Sequence, residues 1–201
     1  MEYYKGPGLV LRRTNYGEAD RIIEILTPNP EHSKIRALAR GVRKDKSKQK
    51  GGIEILAENE FTIRFSTKTA DPKSSLAILT SARMIKFYGG ILTSVTRLAA
   101  AERLLKIASR AAEEIDNPEF YRILKEAFAE LEQGDPERAE AWATMQFYAA
   151  SGQDIDLYQD VIGRPLVLEA RYDWLPDQRA FKREDAGAFT PKDIQYLRTL
   201  V

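Results

Sequence analysis

The chain contains no cysteine and only one histidine, His32, among its 201 residues. The lack of cysteine excludes disulfides, thiol nucleophiles and thiolate metal sites, and it accords with a reducing compartment. One histidine cannot furnish a His-rich metal site, and a Ser-His-Asp triad would have to be built around it. Its setting, Pro28-Asn29-Pro30-Glu31-His32-Ser33, marks it as an exposed turn residue. No apolar stretch approaches the roughly 18 residues of a membrane span. The opening Met1-Glu2-Tyr3-Tyr4-Lys5-Gly6-Pro7 lacks the apolar core of a secretory leader. Gly-x-Ser-x-Gly is absent. Gly41-Val42-Arg43-Lys44-Asp45-Lys46-Ser47 is similar to a phosphate-binding loop but lacks the glycine before the lysine, without which the backbone does not wrap the phosphates. Asp154, Asp156 and Asp160 offer oxygen ligands without the glycine turn and terminal Glu of a calcium loop. No metal ligand set and no cofactor motif is expected, and an enzyme is the least supported class.

What is present is an ordinary globular balance, 43% hydrophobic and 30% charged. The net charge of +1 conceals an asymmetry. Residues 1–80 hold 15 Lys/Arg against 10 Asp/Glu, and residues 81–201 hold 16 against 20. A basic first half suits a polyanionic partner.

The first 80 residues read as strands. Gly8–Arg13 is short and β-rich, Asn15-Tyr16-Gly17-Glu18 supplies a turn, and Arg21–Thr27 is rich in β-branched residues. Lys34–Arg40 is a third strand. Its alternation puts Ile35, Ala37 and Ala39 on one face and Lys34, Arg36, Leu38 and Arg40 on the other. A glycine-bounded loop, 41–52, carries five positive charges against one Asp and reads as solvated and mobile. A fourth strand covers about 53–65, with Phe61, Ile63 and Phe65 on one face, and a fifth lies near 76–81. The period then changes to 3.6. Helices are expected over Ser94–Glu114, from Asn117-Pro118 to about Glu132, and from Asp135-Pro136 to about Ala150. Trp142, Met145, Phe147 and Tyr148 are expected in a helical core. A hairpin pairing Val167–Tyr172 with Arg179–Lys182 sits within an irregular stretch, 153–188, and Thr190-Pro191-Lys192-Asp193 opens a last short helix. The expected fold is α+β: a five-stranded OB-fold barrel over 1–80, then a mainly helical domain over 81–201 with a small hairpin insertion. Five short strands hide their edges most economically by closing on themselves.

The positive signal is Lys34–Lys50, with eight Lys/Arg and one acid in 17 residues. Cations on a strand face followed by a basic arm can track a phosphate backbone and release its counterions. The candidate nucleic-acid contacts are Arg12, Arg13, Arg21, Lys34, Arg36, Arg40, Arg43, Lys44, Lys46, Lys48 and Lys50. Tyr16 is the best stacking partner, with Tyr3 and Tyr4 weaker. Many cations and few aromatic platforms predict salt-sensitive, sequence-tolerant binding. Two other classes stand beside DNA binding: an RNA-binding barrel, and a protein-interaction adaptor whose basic loop is merely solvated.

Leu9-Val10-Leu11-Arg12-Arg13-Thr14-Asn15-Tyr16-Gly17-Glu18-Ala19-Asp20-Arg21-Ile22 closely resembles the opening of the RecO family of bacterial DNA-repair proteins. So does Lys34–Lys44 with the following Lys/Ser segment and Gly51-Gly52, and Leu79-Thr80-Ser81-Ala82-Arg83 resembles the family's fifth strand. The resemblance implies an OB-fold that binds single- and double-stranded DNA and anneals strands coated by single-stranded DNA-binding protein. It also implies cooperation with RecR in loading RecA, no bond chemistry, and a cytoplasmic, nucleoid-associated setting. Asp154-Ile155-Asp156-Leu157 and Gly163-Arg164-Pro165-Leu166 resemble the surroundings of a zinc site that many members build from two Cys-x-x-Cys pairs. Here Gln159 and Ile162 stand where the first pair would be. The expectation is therefore a zinc-less hairpin held by Leu168, Tyr172, Trp174 and Phe181. The chain also stops soon after its last expected helix begins, where members often continue.

Overall fold

A computed structural model of the chain describes residues 2–44, 47, 49–65, 76–153, 155–175 and 178–199. Its first strand, β1 (Tyr3–Tyr16), serves two neighbours in turn. The Tyr3–Leu9 half pairs antiparallel with β4 (Ala57–Arg64), and Leu9–Tyr16 with β2 (Asp20–Leu26). The strand starts before the expected Gly8: Gly6, Pro7 and Gly8 all pair with β4, and β1 takes β2 as partner from Leu9 onward. A Cβ on Gly8 would lie 2.6 Å from Ile25 and 2.9 Å from the Leu26 carbonyl oxygen, so this close approach to β2 requires glycine. β3 (Lys34–Ala39) pairs with β2, and β5 (Ala77–Phe87) pairs with β4. A short parallel contact, Ala37 to Ala77 and Leu38 to Ile78, closes the barrel in the order β1-β2-β3-β5-β4. The fold is thus α+β, a closed five-stranded barrel followed by helices and a small hairpin.

Alternation fills the interior. Val10, Ile23, Ile25, Ile35, Ala37, Ala39, Phe61 and Ile63 point inward and are buried. The connection after β3 also contributes: Val42 and Ile53 are buried in the same core. The described residues of 41–52 therefore do not form a free loop. They make successive turns (Lys44 N–H to Gly41 O, 3.1 Å; Ser47 N–H to Lys44 O, 3.0 Å) ending in a 3-10 turn at Lys50–Ile53. There Gly52 lies against β5 so closely that a Cβ would fall on the Ala82 backbone, whereas Gly51 faces open space.

α1 (Val95–Glu114) and α2 (Glu119–Gln133) pack on β1. A buried polar contact joins α2 to the barrel. Glu58 of β4, 7% exposed, accepts hydrogen bonds from the Tyr121 hydroxyl at 2.6 Å and from Lys125 Nζ at 2.8 Å. Burial, reinforced by Glu58, raises the Tyr121 phenol, which stays a proton donor. Burial, with Glu58 and Glu132 nearby, pushes Tyr88 up to about 12.

The chain divides into two compact units, Met1–Glu140 and Ala141–Val201. The expected division at 80/81 falls inside β5, which runs on to Phe87. α3 (Pro136–Ala150) carries the chain from the first unit into the second, and Asp135 Oδ1 caps it by accepting from the Glu137 and Arg138 N–H groups. In the second unit β6 (Tyr172–Leu175) pairs with β7 (Ala180–Arg183), so the first hairpin strand begins where the sequence suggests it ends. Tyr172 and Phe181 are buried, and Trp174 and Phe189 pack against Phe181. Leu168, expected in this core, is 50% exposed. Met145 and Phe147 are buried as expected, while Trp142 and Tyr148 are half-buried. α4 (Pro191–Arg198) starts with a reciprocal capping box between Thr190 and Asp193.

Two substitutions test these contacts. Gly52→Ala is expected to cost about 1–3 kcal/mol by forcing β5 aside, while Gly51→Ala changes little. Tyr121→Phe is expected to cost about 1.5–3 kcal/mol because a buried carboxylate then lacks one of its donors. Urea unfolding measures both, and equal midpoints for the two glycine variants would contradict the packing described.

Candidate nucleic-acid interface

Strand pairing converts the basic sequence into rows on the outside of the barrel. Cross-strand partners sit about 4.5–5.5 Å apart. One row is Arg12, Glu24 and Arg36, and the next is Thr14, Ile22 and Leu38. Tyr16 stands opposite Asp20, with Arg40 just past the end of β3. Arg12, Tyr16, Arg36 and Arg40 are exposed, and Ile22 and Leu38 between them are half-buried. The face is a shallow apolar strip flanked by guanidinium groups.

The β1–β2 turn is tied to the basic connection. Gly17, with φ of 57°, makes that turn. Arg43 N–H donates to Ala19 O at 2.9 Å, Arg43 Nη1 to Gly17 O at 3.1 Å, and Gly41 N–H to Asp20 Oδ1 at 2.7 Å. These bonds hold Arg43 against the turn that presents Tyr16, with exposed Lys44 next along the chain. Lys50 is exposed near β5, where Gln49 Nε2 donates to Thr80 O. Lys46 and Lys48 lie outside the described residues.

Three of the candidate cations already face carboxylates. Arg13 points with the inward row, opposite Ile23, and pairs with Glu54 at 2.8 Å. Lys34 is only 10% exposed; it meets Glu113 at 3.3 Å and Glu24 at 3.5 Å, and donates to Ser109 O. Arg36 lies 4.0 Å from Glu24 but remains 52% exposed. Arg21 is held at the barrel end by Asn15 Oδ1 at 3.2 Å. Arg12, Arg40, Lys44 and Lys50 have no carboxylate within ion-pair distance among the described residues. Glu24 is the residue that single-strand periodicity misses, since its place between Arg12 and Arg36 emerges only once register is known. Among the aromatics, Tyr16 and Tyr3 are each 53% exposed, whereas Tyr4 is buried and donates to Pro7 O. His32 is not an exposed turn residue. Its ring stacks on Phe65 at 4.2 Å, and Nε2 lies 2.9 Å from Glu2 Oε1.

A closed barrel with this strand order is an OB-fold, a class whose outer strand faces and turns bind oligonucleotides or oligosaccharides. Comparison with known proteins specifies the family. Residues 1–88 match the family described as Recombination protein O N terminal. The DNA repair protein RecO of Trichodesmium erythraeum is 32% identical over 142 residues, 70% of this chain and 46% of that protein. That of Streptomyces coelicolor is 34% identical over 139 residues, 67% and 54% respectively. That of Dehalococcoides mccartyi is 29% identical over 156 residues, 77% and 58%. The chain belongs to the RecO family of DNA repair proteins. Its matches span about half the length of these relatives. No helix among the described residues is long and apolar enough to cross a membrane.

The zinc site that the family resemblance implies does not fit the residues present. With no cysteine available, the turn at Gln159–Arg164 is organised by a carboxylate instead. Asp160 Oδ1 accepts from Ile162 N–H at 3.0 Å and Arg164 N–H at 2.9 Å, and Oδ2 from Arg164 Nε at 2.8 Å. Gly163, with φ of 79°, completes the turn. Asp156 is likewise occupied, accepting from Tyr158 and Gln159 N–H groups, and Asp154 lies outside the described residues. Among the described residues no group of three or more potential ligands stands together.

Burial would raise the Asp160 carboxyl, but the hydrogen bonds from Arg164 and Ile162 outweigh it and hold its pKa below the ordinary value. A depressed carboxyl stabilises the fold above its unfolded pKa, near 3.8, and that contribution fades as pH falls through the folded value. Thermal melts are therefore expected to show Asp160→Asn destabilised at pH 7, with its difference from the parent shrinking as the medium is taken well below pH 4. A difference that persists undiminished in acid would contradict this role.

Proposed function

We propose that this chain is a DNA-binding recombination mediator that works by electrostatic contact and performs no bond chemistry. The observation that carries the reading is the exposed outer face of β1–β3, where Arg12, Arg36 and Arg40 flank Ile22 and Leu38 and the Arg43 turn stands alongside. Guanidinium groups hold phosphate oxygens in pairs, and the half-buried apolar strip accepts sugars and base faces without reading their edges. Such a face takes both single- and double-stranded DNA. Screening the repulsion between two backbones lets complementary strands meet and anneal. Lys44 and Lys50, exposed on the turns after β3, extend the contact, and Lys46 and Lys48 are proposed as further phosphate contacts. Arg13, Arg21 and Lys34 then serve mainly to set the local structure, since each is already engaged.

In keeping with its family, the chain is proposed to act on DNA coated by single-stranded DNA-binding protein, to work with RecR, and so to assist RecA loading. Its place would be the cytoplasm, at the nucleoid. Residues 1–80 together with the rest of β5 are the proposed DNA-binding domain, and the helical remainder to residue 201 the proposed accessory domain.

The test is fluorescence anisotropy with the Arg36→Glu/Arg40→Glu variant. Its affinity for mixed-sequence oligonucleotides is expected to fall at least about tenfold, uniformly across sequences. Its salt slope is expected to fall by about 0.7 for each single-strand phosphate that is no longer neutralised. Unchanged affinity would reject the assignment. Competition with matched RNA separates a DNA protein from an RNA-binding barrel, and annealing of bare and protein-coated strands tests the mediator role.

A further inference from the structure

A second basic surface lies beside the barrel face and is built partly from helix α1. Between β1 and α1 runs a groove of about 510 Å³. Its apolar lining is Leu11 and Leu105, and its polar lining includes Arg12, Lys106 and Arg110. Lys106 and Arg110 are spaced i, i+4, so they stand one turn apart on the same side of α1. Arg110 is 85% exposed and only loosely engaged, with Glu114 at 3.8 Å. Arg12 and Lys106 have no ion-pair partner among the described residues. Arg103, one turn earlier, is held by two bonds to Glu140 and is not available.

Two carboxylates also line the groove. They are Glu102 and Glu113, so the lining holds three cations to two acids, and Lys34, shared with Glu24, meets Glu113 at 3.3 Å from outside the groove. Arg12 belongs both to this groove and to the outer row Arg12–Glu24–Arg36, so the two surfaces are continuous. A cavity of this size lies within the range of small-ligand sites, about 300–1,000 Å³.

We propose that the groove carries a single nucleic-acid strand off the barrel and onto α1. Arg12, Lys106 and Arg110 hold successive phosphates, and a base rests against Leu11 and Leu105. The proposal rests on the barrel face being a nucleic-acid interface, and it adds a path length and a direction to that reading. Apolar contact at the floor with cations at the rim suits a base bearing phosphates on either side. The helix then contributes affinity only when the strand is long enough to reach it.

The experiment uses the full chain and labelled oligothymidylates of two lengths. One, of about 6 nucleotides, fits within a single barrel, and the other, of about 20, extends past it. Lys106→Gln with Arg110→Gln is expected to bind the long oligomer about tenfold more weakly, with a salt slope lower by about 1.4, and to leave the short one unchanged. Lys106→Arg, which keeps the charge, should bind the long oligomer as the parent does. Circular dichroism melting checks that the exposed substitutions leave the fold intact. Unchanged affinity for the long oligomer overturns the proposal, as does an equal loss on both lengths, which would make the groove part of the barrel site. A loss seen only with a glutamate-rich peptide probe also overturns it and assigns the groove to a protein. If the parent binds neither oligomer, the barrel reading itself fails, an outcome distinct from the others.

Discussion

A barrel filled with isoleucine, valine, phenylalanine and alanine must send every second residue of its strands outward, and what stands at those positions decides what the barrel can touch. In β3 the inward set is Ile35, Ala37 and Ala39, and the outward set is Lys34, Arg36 and Leu38, with Arg40 following. Core and charge are thus fixed by one alternation. A register slip of a single residue would bury guanidinium groups and expose the core together, so the basic face is specified as strongly as the fold. Closure through the short parallel contact with β5 leaves β3 no open edge at Ala37 and Leu38, and its outer surface becomes the surface on offer.

Much of this is legible in the chain itself. The five strands, the capped helices and the β3 face follow from local rules of alternation and capping, and the RecO family from the residues at 9–22 and 34–44. The rest is hidden because it depends on distant partners. The first strand looks as if it starts at Gly8, and its earlier half, Tyr3–Pro7, emerges only with its partner β4. Val42 looks like a loop residue until it is seen in the core, and Ile53, expected to open a strand, enters that core from a 3-10 turn. The charge count at Lys34–Lys50 treats all cations alike, whereas Lys34 and Arg36 share Glu24 and Lys34 also meets Glu113 on α1. His32 looks exposed because its turn is polar, and its stacking on Phe65 cannot be read from the turn.

The second unit shows one structural problem met by a different chemistry. A tight turn leaves backbone N–H groups needing an acceptor. A thiolate on a metal is one acceptor, and here the Asp160 carboxylate, oriented by Arg164, is another. The hairpin beyond it relies on Phe181, which meets Tyr172 and Phe189 edge to face and Trp174 at a tilt. The Asp160 turn depends on the protonation state of one carboxyl group.

The buried Glu58 contact bears on how the first unit can be dissected. The stretch that matches the family ends at residue 88, while both donors to Glu58 come from α2. Cutting the chain at that boundary would leave the buried Glu58 without either donor. Barrel, α1 and α2 therefore belong to one compact unit, joined in part by a buried polar contact. The outer barrel face is part of a unit that extends well past the stretch matched to the family.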